Sequence, residues 1–151
     1  MAVEQRSVIE REIRIAASPE TVFDYFVDPD KMVEWKGRKA ELDPRPGGVY
    51  RVDISDQAVA RGEYVEIDAP SRVVFTWGWE GASNPVPPGS SRVEISLQPD
   101  GDGTIVRLRH LDLPEAEREI HGHGWDHYLS RLAQAAEGKD PGTDPHATPD
   151  V

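Results

Sequence analysis

The sequence predicts an α+β domain in which a long C-terminal helix covers one face of a curved antiparallel sheet. Three observations carry this. A helix-start signal follows the first strand-like run, five further alternating runs are separated by short turns, and a long helical segment closes the chain.

The first run, SVIEREIRIAAS, places Ile9, Ile13 and Ile15 on one parity with Arg11 interrupting, as in an outer strand. Ser18 then offers an N-cap and Pro19 suits the first helical position. The helix continues from Thr21 to Val27 with Val22, Phe23 and Phe26 on its buried side. Asp28-Pro29 stops it, and a second short helix is expected from Pro29 to Trp35. Five strands follow. Their inward residues read as Tyr50, Val52 and Ile54; Val65 and Ile67; Val73, Phe75, Trp77 and Trp79; Val93, Ile95 and Leu97; and Val106, Leu108 and His110. The turns APS, NPVPPGS and DGDG between them indicate successive hairpins. A helix from about Glu115 to Glu137 ends the domain, which is expected to span residues 1–137. Residues 138–151, acidic and Pro-rich with almost nothing apolar, read as a disordered tail.

A chain of 151 residues with 37% hydrophobic and 30% charged residues reads as one soluble domain with a core of its own. There is no cysteine, which excludes disulfides, thiolate metal sites and a cysteine nucleophile. A net charge of -11, with basic residues dispersed among acids, argues against nucleic acid as a partner. No apolar run approaches the roughly 20 residues of a membrane helix, and the N-terminus lacks a signal pattern, so no membrane partner and a cytoplasmic location are expected.

The segment HGHGWDHYLSRL holds three of the five histidines. Taking Trp125 as the zero direction at roughly 100° per residue, Tyr128, Leu129, Leu132 and Ala136 fall within about 60° of it. His121 joins that apolar stripe, whereas His123 and His127 lie roughly 160° away, facing solvent. The i, i+4 pair that resembles a metal motif is therefore read as a surface coincidence, and it lacks the glutamate of metalloprotease helices because Gly124 stands there. No metal, cofactor or catalytic residue is assigned. His121 and His110 have three open readings: each satisfies the core edge through one backbone hydrogen bond, both line a cavity as donors to a ligand, or they take a catalytic or metal role for which no third partner stands out. Gly122 and Gly124 each cost a helix about 1 kcal/mol relative to alanine. Either a strand or a bound molecule lies close to them, or the helix starts only near Trp125.

Aromatic residues supply the remaining site candidates. Trp35, Tyr50, Phe75, Trp77, Trp79, Trp125 and Tyr128 join His110 and His121 as the residues expected to line a ligand site, with plain core packing as the alternative. Trp79 is expected at the cavity mouth, beside the loop GASNPVPPG, which has the length of a lid or of an ordinary connector. Asp24, Asp28, Asp30 and Glu34 read as surface charges, and Glu80 as the polar end of its strand or a pocket carboxylate.

Taken in order, SPETVFDYFVDPDKMVEW, RPGGVYRVD, GEYVEIDAPSRVVFTWGW, GTIVRLRH and HGHGWDHYLSRL resemble the START-like, or SRPBCC, superfamily, in the branch related to the activator of the heat-shock-protein-90 ATPase. The resemblance covers residues from about 7 to 137. It implies a helix-grip fold, with six or seven antiparallel strands wrapped around the long helix and a deep pocket between them. Gly47 and Gly48 match the family's paired glycines; His121, Gly124 and Trp125 fit its H-x-x-G-W pattern. Chaperone-activating members carry a further N-terminal domain, for which this chain is too short. Three functions stay open: a binding protein for an apolar or aromatic small molecule, a polyketide aromatase or cyclase with His110 or His121 moving protons, and a protein-interaction or co-chaperone-like module. A monomer or weak homodimer is expected.

Overall fold

The computed structural model describes residues 8–55, 58–81 and 85–142. The elements run β1 (Ile9–Ile15), α1 (Pro19–Val27), α2 (Pro29–Trp35), β2 (Lys39–Leu42), β3 (Val49–Ser55), β4 (Ala58–Asp68), β5 (Arg72–Trp77), β6 (Ser91–Asp100), β7 (Gly103–Leu111) and α3 (Glu115–Ala136). All seven strands form one antiparallel sheet in the order β1-β7-β6-β5-β4-β3-β2, so β1 and β2 are its edges. This is the expected architecture with one added strand. β2 is four residues long and only half-covered, too short for alternation to reveal.

Local chemistry sets the helix boundaries. Ser18 Oγ accepts from the Thr21 amide at 3.2 Å, and Pro19 opens α1. Asp28 both ends α1 and caps α2, its Oδ1 accepting from the Asp30 amide at 2.9 Å. Gly37 follows α2 at φ +81, and a Cβ there would lie 2.6 Å from Val52 Cγ1. Only glycine turns the chain so tightly against β3 at this point. Gly47, also left-handed at φ +85, and Gly48 bring the chain into β3, with the Gly47 amide donating to Tyr64 O.

The concave face of the sheet carries the core. Val73, Phe75 and Trp77, then Val93, Ile95 and Leu97, then Val106, Leu108 and His110 are buried on the expected parities. In β4 the expected face needs correction. Val65 is 39% exposed, and the buried residues are Ala60, Gly62 and Tyr64. The register shifts between Tyr64 and Glu66, and an extra residue at that point exchanges the two faces, so Ile67 alone of the expected pair packs on the core. Tyr50 stacks on Phe75 with centroids 4.1 Å apart, and Tyr64 meets both rings edge-on. The Tyr64 hydroxyl donates to Phe26 O at 2.8 Å and Trp35 Nε1 to Tyr25 O at 3.0 Å, which satisfies the polar ends of the buried rings.

Helix α3 runs unbroken through both glycines, so the alternative start near Trp125 does not occur. It packs against β1, α1 and α2. Arg11, the residue that interrupts the β1 pattern, pairs with Asp126 at 2.6 Å. Buried Arg131 donates to Trp35 O at 3.0 Å and to the carbonyls of Pro141 and Gly142 at 3.2 and 2.9 Å. The first residues of the expected tail are thus tied to the helix, and 143–151 lie outside the described residues.

Candidate functional site: a ring-walled cavity under the final helix

A cavity of about 610 Å3 opens between the first half of α3 and the ends of β3, β4 and β5. The sheet contributes Ile54, Ala58 and Trp77; Trp79 and Pro85 follow β5; α3 contributes His121, Gly124, Trp125 and Tyr128, with Glu117, Ile120 and His123 also in the lining. Lys36, at the end of α2, completes it. Of the nine residues expected to form a ligand site, Trp77, Trp79, His121, Trp125 and Tyr128 line this cavity. Trp35, Tyr50, Phe75 and His110 lie outside its lining, each at most 1% exposed. Of these, Tyr50 and Phe75 stack in the core, Trp35 packs on Phe26 and Tyr128, and His110 stands directly behind Trp77 and Trp125.

Two indole–imidazole bonds fix the ring wall. Trp79 Nε1 donates to His121 Nε2 at 3.0 Å, so this ring carries its proton on Nδ1, 2.8 Å from Glu117 O. Trp125 Nε1 donates to His110 Nδ1 at 2.9 Å, which leaves Nε2 to donate to Ser91 Oγ at 2.8 Å; that hydroxyl donates to Trp77 O at 2.7 Å. Burial, reinforced by the nearby His121 and Lys36, pushes the His110 pKa down to about 3. Both nitrogens of each imidazole are therefore engaged within the protein. His121 thus makes one backbone hydrogen bond and lines the cavity, whereas His110 bonds only to side chains; each imidazole also accepts from a tryptophan.

The helical phase places His121 inward with a side chain 10% exposed, and His123 outward at 75%. His127 departs from the expected solvent position: it is half-buried, its ring edge-on to Tyr128 at 4.8 Å. Among the described residues no cluster of three His, Asp or Glu has metal-site geometry. The two helix glycines have different causes. A Cβ on Gly122 would meet Arg11 Nη2 at 2.8 Å, whereas one on Gly124 meets nothing within 4 Å because it faces the cavity. Glu80 is not in the lining; it lies 3.4 Å from Arg51 Nε and 3.2 Å from Arg61 Nη1. Residues 82–84 of the expected lid are outside the described residues, while Val86 is buried and its carbonyl accepts from the Trp79 amide.

Sequence reasoning missed Lys36. Only 3% of this residue is exposed, and its Nζ lies 4.3 Å from the Trp125 ring centre and within 6 Å of those of Trp35, Trp77 and Tyr128. Burial lowers its pKa to about 7. Its sequence context, EWKGRK, looks like any charged helix end. The one available signal was its place between a buried tryptophan and an obligatory glycine.

A second hollow, of about 400 Å3, lies on the outer face of the sheet among Glu10, Glu12, Arg72, Glu94, Arg107 and Arg109. These side chains are paired with one another, which leaves it no free chemistry.

A seven-stranded sheet gripping a long helix, with a hollow between them, defines a START-like, or SRPBCC, helix-grip domain. The chain belongs to the family described as activator of Hsp90 ATPase homolog 1-like protein, whose sequence profile matches residues 16–137. The solution structure of an AHSA1-like protein from Rhizobium etli is similar at 43% identity over 95% of this chain and 90% of that one, with a TM-score of 0.72. CalU16 from Micromonospora echinospora matches at 27% identity over 89% of this chain and 76% of that one, with a TM-score of 0.72. The fold alone is shared with DynU16, from the dynemicin biosynthetic locus, at 22% identity and a TM-score of 0.78; this chain is covered over 91% and spans half of that one. An Hsp90 activator from Plasmodium falciparum likewise shares the fold, at 21% identity over 83% of this chain and 93% of that one, with a TM-score of 0.68. No curated protein matches the sequence.

Proposed function

We propose that this protein binds an apolar or aromatic small molecule in the cavity beneath α3. One observation carries this reading: some 610 Å3 is left open by a ring wall in which Trp79 and Trp125 are held by indole–imidazole bonds, while the core around it is closed. A concave space of this size, open on one side and walled by aromatic rings with a few polar groups, has the form of a small-molecule site. Trp77, Trp79, Trp125 and Tyr128 would contact the ligand, with His121 behind Trp79 holding that ring. Trp35, Tyr50, Phe75 and His110 support the wall from outside the lining.

The carrier reading is favoured over the aromatase or cyclase reading because His110 and His121, the proton-shuttle candidates, have both nitrogens committed. Partners of other kinds remain secondary. Among the described residues no helix is long and apolar enough to cross a membrane, and the cytoplasmic location and monomeric or weakly dimeric state belong to the same proposal.

The test is a thermal-shift screen with flavonoids, polyketides and fatty acids, followed by recovery of the ligand. Stabilisation with the ligand recovered unchanged is the expected result. Conversion of the ligand would favour the enzyme, and a screen without any shift would leave the interaction module.

A further inference from the structure

The sequence contains four lysines, and Lys36 is the one that is buried. The C-terminal turn of α2 and the tight turn at Gly37 fix its backbone, and its side chain reaches into the cavity wall between Trp125 and Trp77. Among the described residues its ammonium makes no hydrogen bond or ion pair. Its compensation comes from four rings whose centres lie 4.3–5.9 Å away. Rings offer no lone-pair acceptor, so the N–H donors of the buried ammonium are left without a hydrogen-bond partner among the described residues. Burial is the sole cause of its lowered pKa, with no carboxylate acting in the opposite direction. The groups around it are neutral His110 behind the wall, His121 and His123 on α3, and Glu117, the one carboxylate of the lining. Glu117 sits beside His121, with Oε1 3.8 Å from Nδ1. Trp77 Nε1, on a ring next to the ammonium, also lacks an acceptor among the described residues.

A neutral guest filling this space would strip the remaining solvent from Lys36 and supply no countercharge. A guest with its own acid supplies one. We propose that the ligand of this cavity is an aromatic molecule bearing a single acidic group, a carboxylate or an acidic phenol or enol, and that the Lys36 ammonium seats that group while the indoles hold the ring body. This rests on the binding function proposed above and adds the ligand's charge to it.

A matched pair of fluorescent probes tests it: 1-anilinonaphthalene-8-sulfonate, which carries an acid, and N-phenyl-1-naphthylamine, which shares its aromatic body without one. At about pH 6, where Lys36 is charged, the protein should prefer the sulfonate over the amine by about tenfold relative to Lys36→Met. Lys36→Gln should lose the preference as well, with circular dichroism confirming the fold of both variants. In carbon-13 NMR of the unsubstituted protein, the sulfonate should move the Lys36 titration to higher pH and the neutral amine to lower pH. Gly124→Leu, which projects a side chain into the cavity, should weaken both binding events together and so exclude surface adsorption. Equal preference in all three proteins, with both probes still bound and the Lys36 titration unmoved by the sulfonate, would overturn the acid-seating role and leave the cavity function standing. Failure of both probes to bind the unsubstituted protein would remove the cavity function itself, and this inference with it.

Discussion

Trp125 Nε1 and His110 Nδ1, 2.9 Å apart, join the middle of α3 to the penultimate residue of β7. The bond makes His110 an acceptor toward the helix and a donor toward Ser91, so one neutral imidazole satisfies two elements at once. His110→Ala would leave the indole N–H of Trp125 unpaired, remove the donor to Ser91 Oγ, and open a void. We expect a loss of about 3 kcal/mol in urea unfolding, with little change for His123→Ala.

The same burial predicts an acid limb. The folded pKa of His110 is about 3 against an ordinary 6.5, so between those values the unfolded chain binds the extra proton. Its contribution to stability is complete above about pH 6.5 and is lost as pH falls toward 3. Unfolding midpoints measured across that window should drop with acid, and His110→Phe should flatten the slope.

Lys36 predicts an alkaline counterpart. With a folded pKa near 7 and an unfolded value near 10.5, the unfolded chain binds more protons between the two, and stability rises with pH over that interval. Lys36→Met removes the penalty. The variant should exceed the parent by about 2–4 kcal/mol near pH 7, and the gap should close toward pH 10.5. A gap independent of pH would mean that the lysine is hydrated.

The two helix glycines should part ways on substitution. Gly124→Ala enters open space and should raise stability by about 1 kcal/mol through helix propensity, whereas Gly122→Ala must displace the Arg11 guanidinium and should gain little. Thermal melts of the two variants check this directly.

Within α3, His121→Ala frees Trp79, while His123→Ala removes a rim imidazole that is 75% exposed beside Glu119 and holds none of the rings. Ligand affinity should fall severalfold for the first and stay within error for the second, read by tryptophan quenching. The effect for His127→Ala should be smaller than for His121→Ala, since His127 is outside the lining.

The sheet, α1 and the long helix were legible because each obeys a period over enough residues to be counted, and α2 because Asp28-Pro29 marks its start. Helical phase also oriented His121 and His123 correctly, since angular position needs only a continuous helix. Two kinds of feature stayed hidden. The bulge in β4 reversed the face of Val65, and β2 was too short to show alternation. At the site, five of the nine expected residues line the cavity. Trp35, Tyr50, Phe75 and His110 share its parity or composition but lie outside the lining, because depth within a core leaves no periodic trace. The burial of Lys36 was invisible for the opposite reason: a lysine at a helix end reads as solvated unless the surrounding rings are seen in three dimensions.

On the outer face of the sheet, Glu94 lies within 3.8 Å of Arg72, Arg92 and Arg109, and Arg109 reaches on to Glu10 of the neighbouring strand β1. The two sides of one sheet thus answer to different solution variables. Added electrolyte weakens the exterior lattice of charges and barely reaches the rings beneath α3, while an apolar cosolvent does the reverse.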